Sequence, residues 1–328
     1  MKLLVKRLVI AIAPIIDLLS IVPVWLSCQA LKLVRLIGVD RLPKCLSVFR
    51  TTGIFPLRDH FYEPLFNIHR LKKSLRAERN LPGIDWNVEE QLQLLANFSF
   101  NQELLEIPLK GQSNLEFTFD PTINGAYGSG DAEYLYNIIR FYKPRRVLEI
   151  GSGNSTLLAA KAIKVNHQLD SNYTCEHICI EPFGAPWLEK TGATIIRKLV
   201  EDIDLQIFST LEKNDILFID SSHIIRPQGD VLFEYLEVLP TLKSGVLVHI
   251  HDIFSPRDYL DEWLIKSACF WNEQYLVEAF MTFNREYKII GALNYLRHNF
   301  PDQLTAKCPI LKTQLERREP GSFWIQKI

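Results

Sequence analysis

EIGSGNST, from Glu149 to Thr156, carries the residue types that let a backbone wrap a ligand. Gly151 and Gly153 permit a sharp turn and an approach that a Cβ would block. Glu149 leads into the turn, Ser152 lies within it, and Ser155 and Thr156 add hydroxyls at its far side. Ser155 stands where a dinucleotide fingerprint wants its third glycine, so the loop suits a nucleoside ligand without a pyrophosphate. Glu181 ends the next apolar run, where a carboxylate can accept both ribose hydroxyls. Glu201 and Asp202 follow a third run, where an adenine amine would be reached. Ordinary solvated acids at strand ends are the alternative for these three.

A second group of residues could move protons. Asp220, Ser221, Ser222 and His223 end one run, His251 and Asp252 end another, and Asn272 with Glu273 open a later helix. Attack by a hydroxyl on an electrophilic carbon needs a general base or a divalent cation. An imidazole, with a pKa near about 6.5, makes His251 or His223 a base at neutral pH. His249 shares a strand face with His251 and reads as a hydrogen-bonded core residue. Asp131 and Tyr134 are placed to close over the nucleoside ligand, with helix capping as the alternative for Asp131.

The elements that must position these residues alternate short apolar runs with helical stretches, the pattern of a mostly parallel sheet. Strands are expected at residues 146–150, 177–181, 193–199, 215–220 and 245–252, with closing strands at 286–293 and 322–328. Helices are expected at 131–142, 155–163, 231–239 and 273–280, the third with Glu234 and Glu237 toward solvent. Asn87 is a candidate N-cap for a helix within 81–98. Ligands of such sheets sit beyond the carboxyl ends of the strands, where both polar groups converge.

NGAYGSGDAEYLYNIIRFYKPRRVLEIGSGNST, FIDSSH, GVLVHIHDIF and WNEQY together resemble class I methyltransferases of the methyltransferase 24 type, which use S-adenosylmethionine (SAM). These are related in pattern to cephalosporin hydroxylase-like and metal-dependent O-methyltransferases. The resemblance runs from Asn124 to the C-terminus and rests on several separate motifs in order. It implies a Rossmann-like α/β sheet whose last strand runs antiparallel, SAM in the glycine loop, and methyl transfer to oxygen or nitrogen. Asp220 and Asp252 match the location of carboxylate ligands in the metal-dependent relatives, which implies Mg²⁺, although His251 departs from an all-oxygen set. The leading expectation is O-methylation of a hydroxylated small molecule, glycan or lipid-linked intermediate. An NAD-dependent oxidoreductase and a non-catalytic membrane adaptor are the alternatives.

The chain divides by character into residues 1–45, 46–123 and 124–328. The first is apolar and basic, and Leu8 to Ser27 is as long as a membrane-spanning helix, roughly 20 residues. Asp17 is costly in lipid, and Pro14 and Pro23 are expected to interrupt the helix. A basic amphipathic stretch follows, with Lys32 and Arg35 among leucines, so association with a membrane surface is expected. A buried helical hairpin, a true span and a cleaved signal are the competing readings. Residues 46–123 form a helical lead-in in which Arg58, His60 and Tyr62 are a candidate substrate lid, or simply packing. A net charge of −1 argues against a general nucleic-acid binder. The six scattered cysteines form no CxxC pair, which points to reduced thiols in the cytoplasm, at the inner face of a membrane. A homo-oligomer is compatible with this sequence.

Overall fold

The computed structural model describes residues 2–111 and 115–328, with side chains from Ile10 onward. Lys2, Lys6, Arg7 and Leu8 of the N-terminal segment therefore lie outside the described side chains. The chain forms two compact units, residues 1–72 and 73–328.

The first unit carries a single long helix, α1 (Lys2–Ile37), followed by α2 (Pro43–Thr52). Pro14 and Pro23 lie inside α1 without ending it, contrary to the sequence expectation. Each proline forfeits one backbone bond, and the Ser27 hydroxyl donates to the Pro23 carbonyl one turn back at 2.8 Å. Apolar side chains are exposed on every face of the helix, among them Ile15, Leu18, Leu19, Val22 and Trp25. Arg58, His60 and Tyr62 belong to this unit; Glu63 pairs with Arg35 and Arg58 there, and His60 stacks on Phe61.

The second unit is built on seven strands: β1 (Arg146–Ile150), β2 (Glu176–Ile180), β3 (Thr194–Ile196), β4 (Ile216–Ile219), β5 (Leu247–Ile250), β6 (Tyr287–Ala292) and β7 (Phe323–Lys327). Their order is β3-β2-β1-β4-β5-β7-β6. β1 to β5 are parallel, and β7 runs antiparallel between β5 and β6. The strands are apolar along their whole length because both faces are covered. Val147, Phe218 and Trp324 pack on one face, under Leu135, Ile138 and Ala162. Leu148, Leu217, Val248 and Ile325 pack on the other, with Tyr235, Val277 and Met281.

The helices supply those covers. α3 (Val88–Asn97) and α4 (Asn101–Leu105) precede α5 (Asp131–Tyr142) and α6 (Asn154–Leu169). α7 (Gln206–Ser209), α8 (Asp230–Phe233) and α9 (Glu273–Met281) follow the later strands, and α10 (Leu293–Asn299), α11 (Pro301–Thr305) and α12 (Pro309–Gln314) fill the interval between β6 and β7. Residues 73–123 are integral to this unit: Gln91 accepts from the Ala292 N–H at 2.7 Å, and Arg79 pairs with Glu278. Asn87 does precede α3, but with φ 49° its side chain makes no cap and donates instead to the Ile289 carbonyl at 2.9 Å.

The stretch after β4 departs from expectation. α8 opens into a π turn over Glu234–Val238, in which Glu234, Tyr235 and Val238 are buried. Glu234 is fully buried and accepts from Ser221 Oγ at 3.1 Å, while Glu237 is exposed as expected.

Candidate functional site

The strand order reverses between β1 and β4, and the crevice this leaves is where the glycine loop lies. Gly151 has φ 78° and donates its N–H to the Ile180 carbonyl at 3.0 Å. A Cβ there would stand 1.9 Å from the Asp220 carbonyl oxygen, so only glycine fits. Gly153 differs: its backbone is extended, and a Cβ would meet nothing within 4 Å. The space beside it is open.

Behind the loop, Glu149 is 1% exposed and accepts from Ser155 Oγ at 3.2 Å and Thr156 Oγ1 at 2.9 Å. It also pairs with His177 Nε2, beside which Cys179 Sγ lies at 3.8 Å. Thr156 Oγ1 accepts from the Gly153 N–H at 3.1 Å. Glu149, Ser155 and Thr156 thus brace the loop from the core side rather than facing a ligand. The sequence reading had them contacting the cofactor.

In front of the loop is a cavity of about 240 Å³, lined by Gly151, Glu181, Phe183, Val200, Glu201 and Asp220 among others. Glu181 Oε2 accepts from the Ser152 N–H at 3.1 Å and Oε1 from the Phe183 N–H at 2.7 Å. The carboxylate is held against the loop, and each oxygen keeps acceptor capacity for a ribose hydroxyl. Ile180, Leu199 and Val200 add apolar wall suited to a purine. Glu201 is at this cavity; Asp202 is exposed and does not line it. A glycine-only turn, a pinned acid and an apolar slot fit an adenosyl group.

The proton-moving residues converge at the strand ends. One ligating atom each from Asp220, His223 and Asp252 lie within 4.8 Å of one another. His223 Nε2 is 3.3 Å from Asp220 Oδ1 and 3.5 Å from Asp252 Oδ2, and its Nδ1 is 2.8 Å from Glu273 Oε2. Glu273, opening α9, is fully buried and also accepts from the Tyr235 hydroxyl at 2.9 Å. His223 and Asp252 have φ 60° and 57°, backbone strain that costs about 1–3 kcal/mol each and collects at working sites. Burial pulls the His223 pKa down, but hydrogen bonds to Asp220 and Glu273 outweigh it and hold the imidazolium well above its usual range.

His251 Nε2 lies 3.5 Å from Asp252 Oδ1, and its Nδ1 has no hydrogen-bond partner among the described residues. Burial lowers its pKa, and Asp252, Asp220 and Asp131 together raise it above the ordinary value. Burial in turn pushes Asp252 up to about 6, against the pull of His251 and His223. A second cavity, of about 640 Å³, has Asp131, His251 and Asp252 in its lining. Asp220 lines the first cavity and Asp252 the second, and both carboxylates lie against the buried His223 ring.

Other expected residues fall elsewhere. Asp131 is buried at the start of α5, accepts from the Ser322 N–H at 2.7 Å, and lines the second cavity, not the first. Tyr134 does not close over a ligand: it is fully buried and donates to the Ile290 carbonyl at 2.6 Å. His249 is core, but neither ring nitrogen has a partner among the described residues; it stacks on Phe218 at 4.1 Å between centroids. Burial, and then His251, drive its pKa well below the usual range, so it is neutral. The link between His223 and Glu273 joins residues far apart in sequence, and no local pattern announces it.

This sheet order, with a glycine turn at the reversal and an acid closing β2, defines a class I SAM-dependent methyltransferase fold. Residues 148–253 match the family model described as a methyltransferase domain, and the chain belongs to that family. An uncharacterized protein of Archaeoglobus fulgidus is 34% identical over 182 residues, covering 52% of this chain and 80% of that protein. The O-methyltransferase from Bacillus cereus, solved with S-adenosylhomocysteine (SAH), is 14% identical, covering 74% of this chain and 91% of that one, with a TM-score of 0.34. The O-methyltransferase TomG from Streptomyces achromogenes, involved in tomaymycin synthesis and solved with SAM, is also 14% identical. It covers 72% of this chain and 89% of that one, with a TM-score of 0.32.

Proposed function

We propose that this chain transfers the methyl group of SAM to a hydroxyl oxygen of a small-molecule or glycan acceptor. The observation that carries this reading is the Asp220–His223–Asp252 cluster, in which Asp220 lines the cavity suited to an adenosyl group and Asp252 the cavity that also holds His251. SAM supplies an electrophilic methyl on a sulfonium. Gly151 and Glu181 position the nucleoside, and the second cavity brings the acceptor hydroxyl to His251. As the carbon–oxygen bond forms and the carbon–sulfur bond breaks, His251 takes the hydroxyl proton and Asp252 steadies the imidazolium. The products are a methyl ether and SAH.

Asp220, His223 and Asp252 also make a set able to hold a divalent cation, which would lower the pKa of a bound hydroxyl. Glu273 on Nδ1 would turn the His223 Nε2 lone pair toward it. One nitrogen among carboxylates suits Mn²⁺ or Fe²⁺ as well as Mg²⁺. The exposed apolar length of α1 supports an enzyme tethered to a membrane.

Calorimetry with SAH tests the reading: the folded chain should bind it, and an absence of heat would overturn the assignment. Glu181→Ala should weaken SAH at least tenfold. Asp252→Ala should keep SAH affinity while abolishing transfer from labelled SAM in cell extract. Equal loss of SAH affinity in both would contradict the division of roles.

A further inference from the structure

One stretch of the second cavity's lining, Arg317 to Glu319, is rich in cations. Glu319 is shared by three side chains from elsewhere in the chain: Arg76 Nη2 at 3.1 Å, Arg297 Nη1 at 3.3 Å and His298 Nε2 at 3.0 Å. That one carboxylate cannot neutralise its neighbours and has nothing left for Arg318. The Arg318 guanidinium lies over Gly128, where a Cβ would stand 2.9 Å from Nη1, so the missing side chain makes room for it beside the cavity. Its Nε reaches only Gln314 Oε1, at 3.4 Å. Lys266, elsewhere in the lining and exposed, pairs with no carboxylate among the described residues, nor does Arg318.

The acids of this cavity are placed differently. Asp131 is buried and Asp252 half-buried beside His251, whereas Asp261 and Glu262 are exposed to solvent. An anionic group would be repelled from Asp131 and Asp252 and drawn to Arg318. Trp263 and Phe254, packed edge to face with ring centroids 5.3 Å apart, add apolar lining for a sugar or aromatic frame.

We propose that the second cavity takes an acceptor bearing both a hydroxyl and an anionic group, a carboxylate or phosphate, with the anion held by Arg318 and Lys266 and the hydroxyl at His251. The hydroxyl end of this assignment rests on the methyl-transfer reading; the anion end stands on the cations alone. Arg318 presents a planar fork matched to either oxyanion, and Lys266 adds a point charge.

The test titrates the full chain, with and without SAH, with inorganic phosphate, glucuronate and glucose, followed by calorimetry and saturation-transfer NMR. Glucuronate should bind at least tenfold tighter than glucose and compete with phosphate. Arg318→Gln combined with Lys266→Gln should weaken both anions at least tenfold while SAH affinity and the melting temperature hold. Phosphate binding with no answer to glucuronate would narrow the anion to a phosphoryl group, and the reverse to a carboxylate. Glucose binding as well as glucuronate, neither anion binding, or anion binding indifferent to the double variant would each overturn the proposal. Failure of SAH alone to bind, with the anions still bound, would remove the methyl-transfer reading and leave the anion site in place.

Discussion

Gly151 and Gly153 look equivalent in sequence and are not equivalent in space. Alanine at Gly151 must adopt φ 78° and enter the Asp220 carbonyl, so Gly151→Ala should cost about 2–4 kcal/mol by denaturant unfolding and abolish SAH binding. Gly153→Ala meets neither obstacle and should fold with unchanged stability. Its methyl would occupy the open space at the loop, and SAH affinity should fall about tenfold, by analogy with an overpacked contact. Unchanged SAH affinity in Gly153→Ala would show that the open space is not the ligand's. At this scale the sequence disclosed the turn and Glu181, because strand-end position alone determines both. It did not disclose that Glu149 faces the core, since the alternation of a fully buried strand gives no polar side to read, nor that Ser155 and Thr156, in the first turn of α6, donate back to it. Tyr134 misled for a related reason: a hydroxyl near a site signals nothing until its partner, here the Ile290 carbonyl, is known.

Among the elements, α5 is tied to α12 by one carboxylate. Glu133 accepts from the N–H groups of Gly130 at 3.0 Å, Ile310 at 2.7 Å and Leu311 at 2.9 Å. Burial nevertheless pushes its pKa up from 4.5 to about 7. The folded state therefore holds this proton more tightly than the unfolded chain. The Glu133 contribution is greatest below pH 4.5 and is lost progressively as pH rises to about 7, by an amount on the order of 3 kcal/mol. Glu133→Gln cannot titrate, so its stability deficit against the unaltered chain should shrink by that amount between pH 4.5 and 8. A deficit constant across that range, in urea melts, would count against a proton at Glu133. The β-strands were legible because runs such as RVLEI can be buried on both faces, and their observed ends lie within a few residues of those expected. The π turn at Glu234 was not, because one extra residue per turn leaves no trace in an apolar pattern.

At the scale of the molecule, the proposed tether rests on one helix with exposed apolar side chains on every face. The apolar part of α1, Ile10–Ile37, has 28 residues, about 42 Å at helical rise, against a hydrocarbon core of about 30 Å. Deleting residues 1–45 should move the protein from the membrane pellet to the soluble fraction with SAH binding retained. Continued sedimentation with membranes would refute the tether. Fold class was readable because the whole pattern of alternating elements constrains it. The division at residues 72 and 73 was not, because composition changes near residue 45 while the packing of Gln91 and Arg79 against later strands is a tertiary fact.

β7 is last in chain order yet lies between β5 and β6. During synthesis the five parallel strands can assemble as their residues emerge, but β6 has no neighbour to join until residues 323–327 arrive. A chain truncated near residue 320 would therefore leave β5 and β6 with the strand edges that β7 covers in the full chain. Such a truncated chain should aggregate and engage chaperones more than the full one.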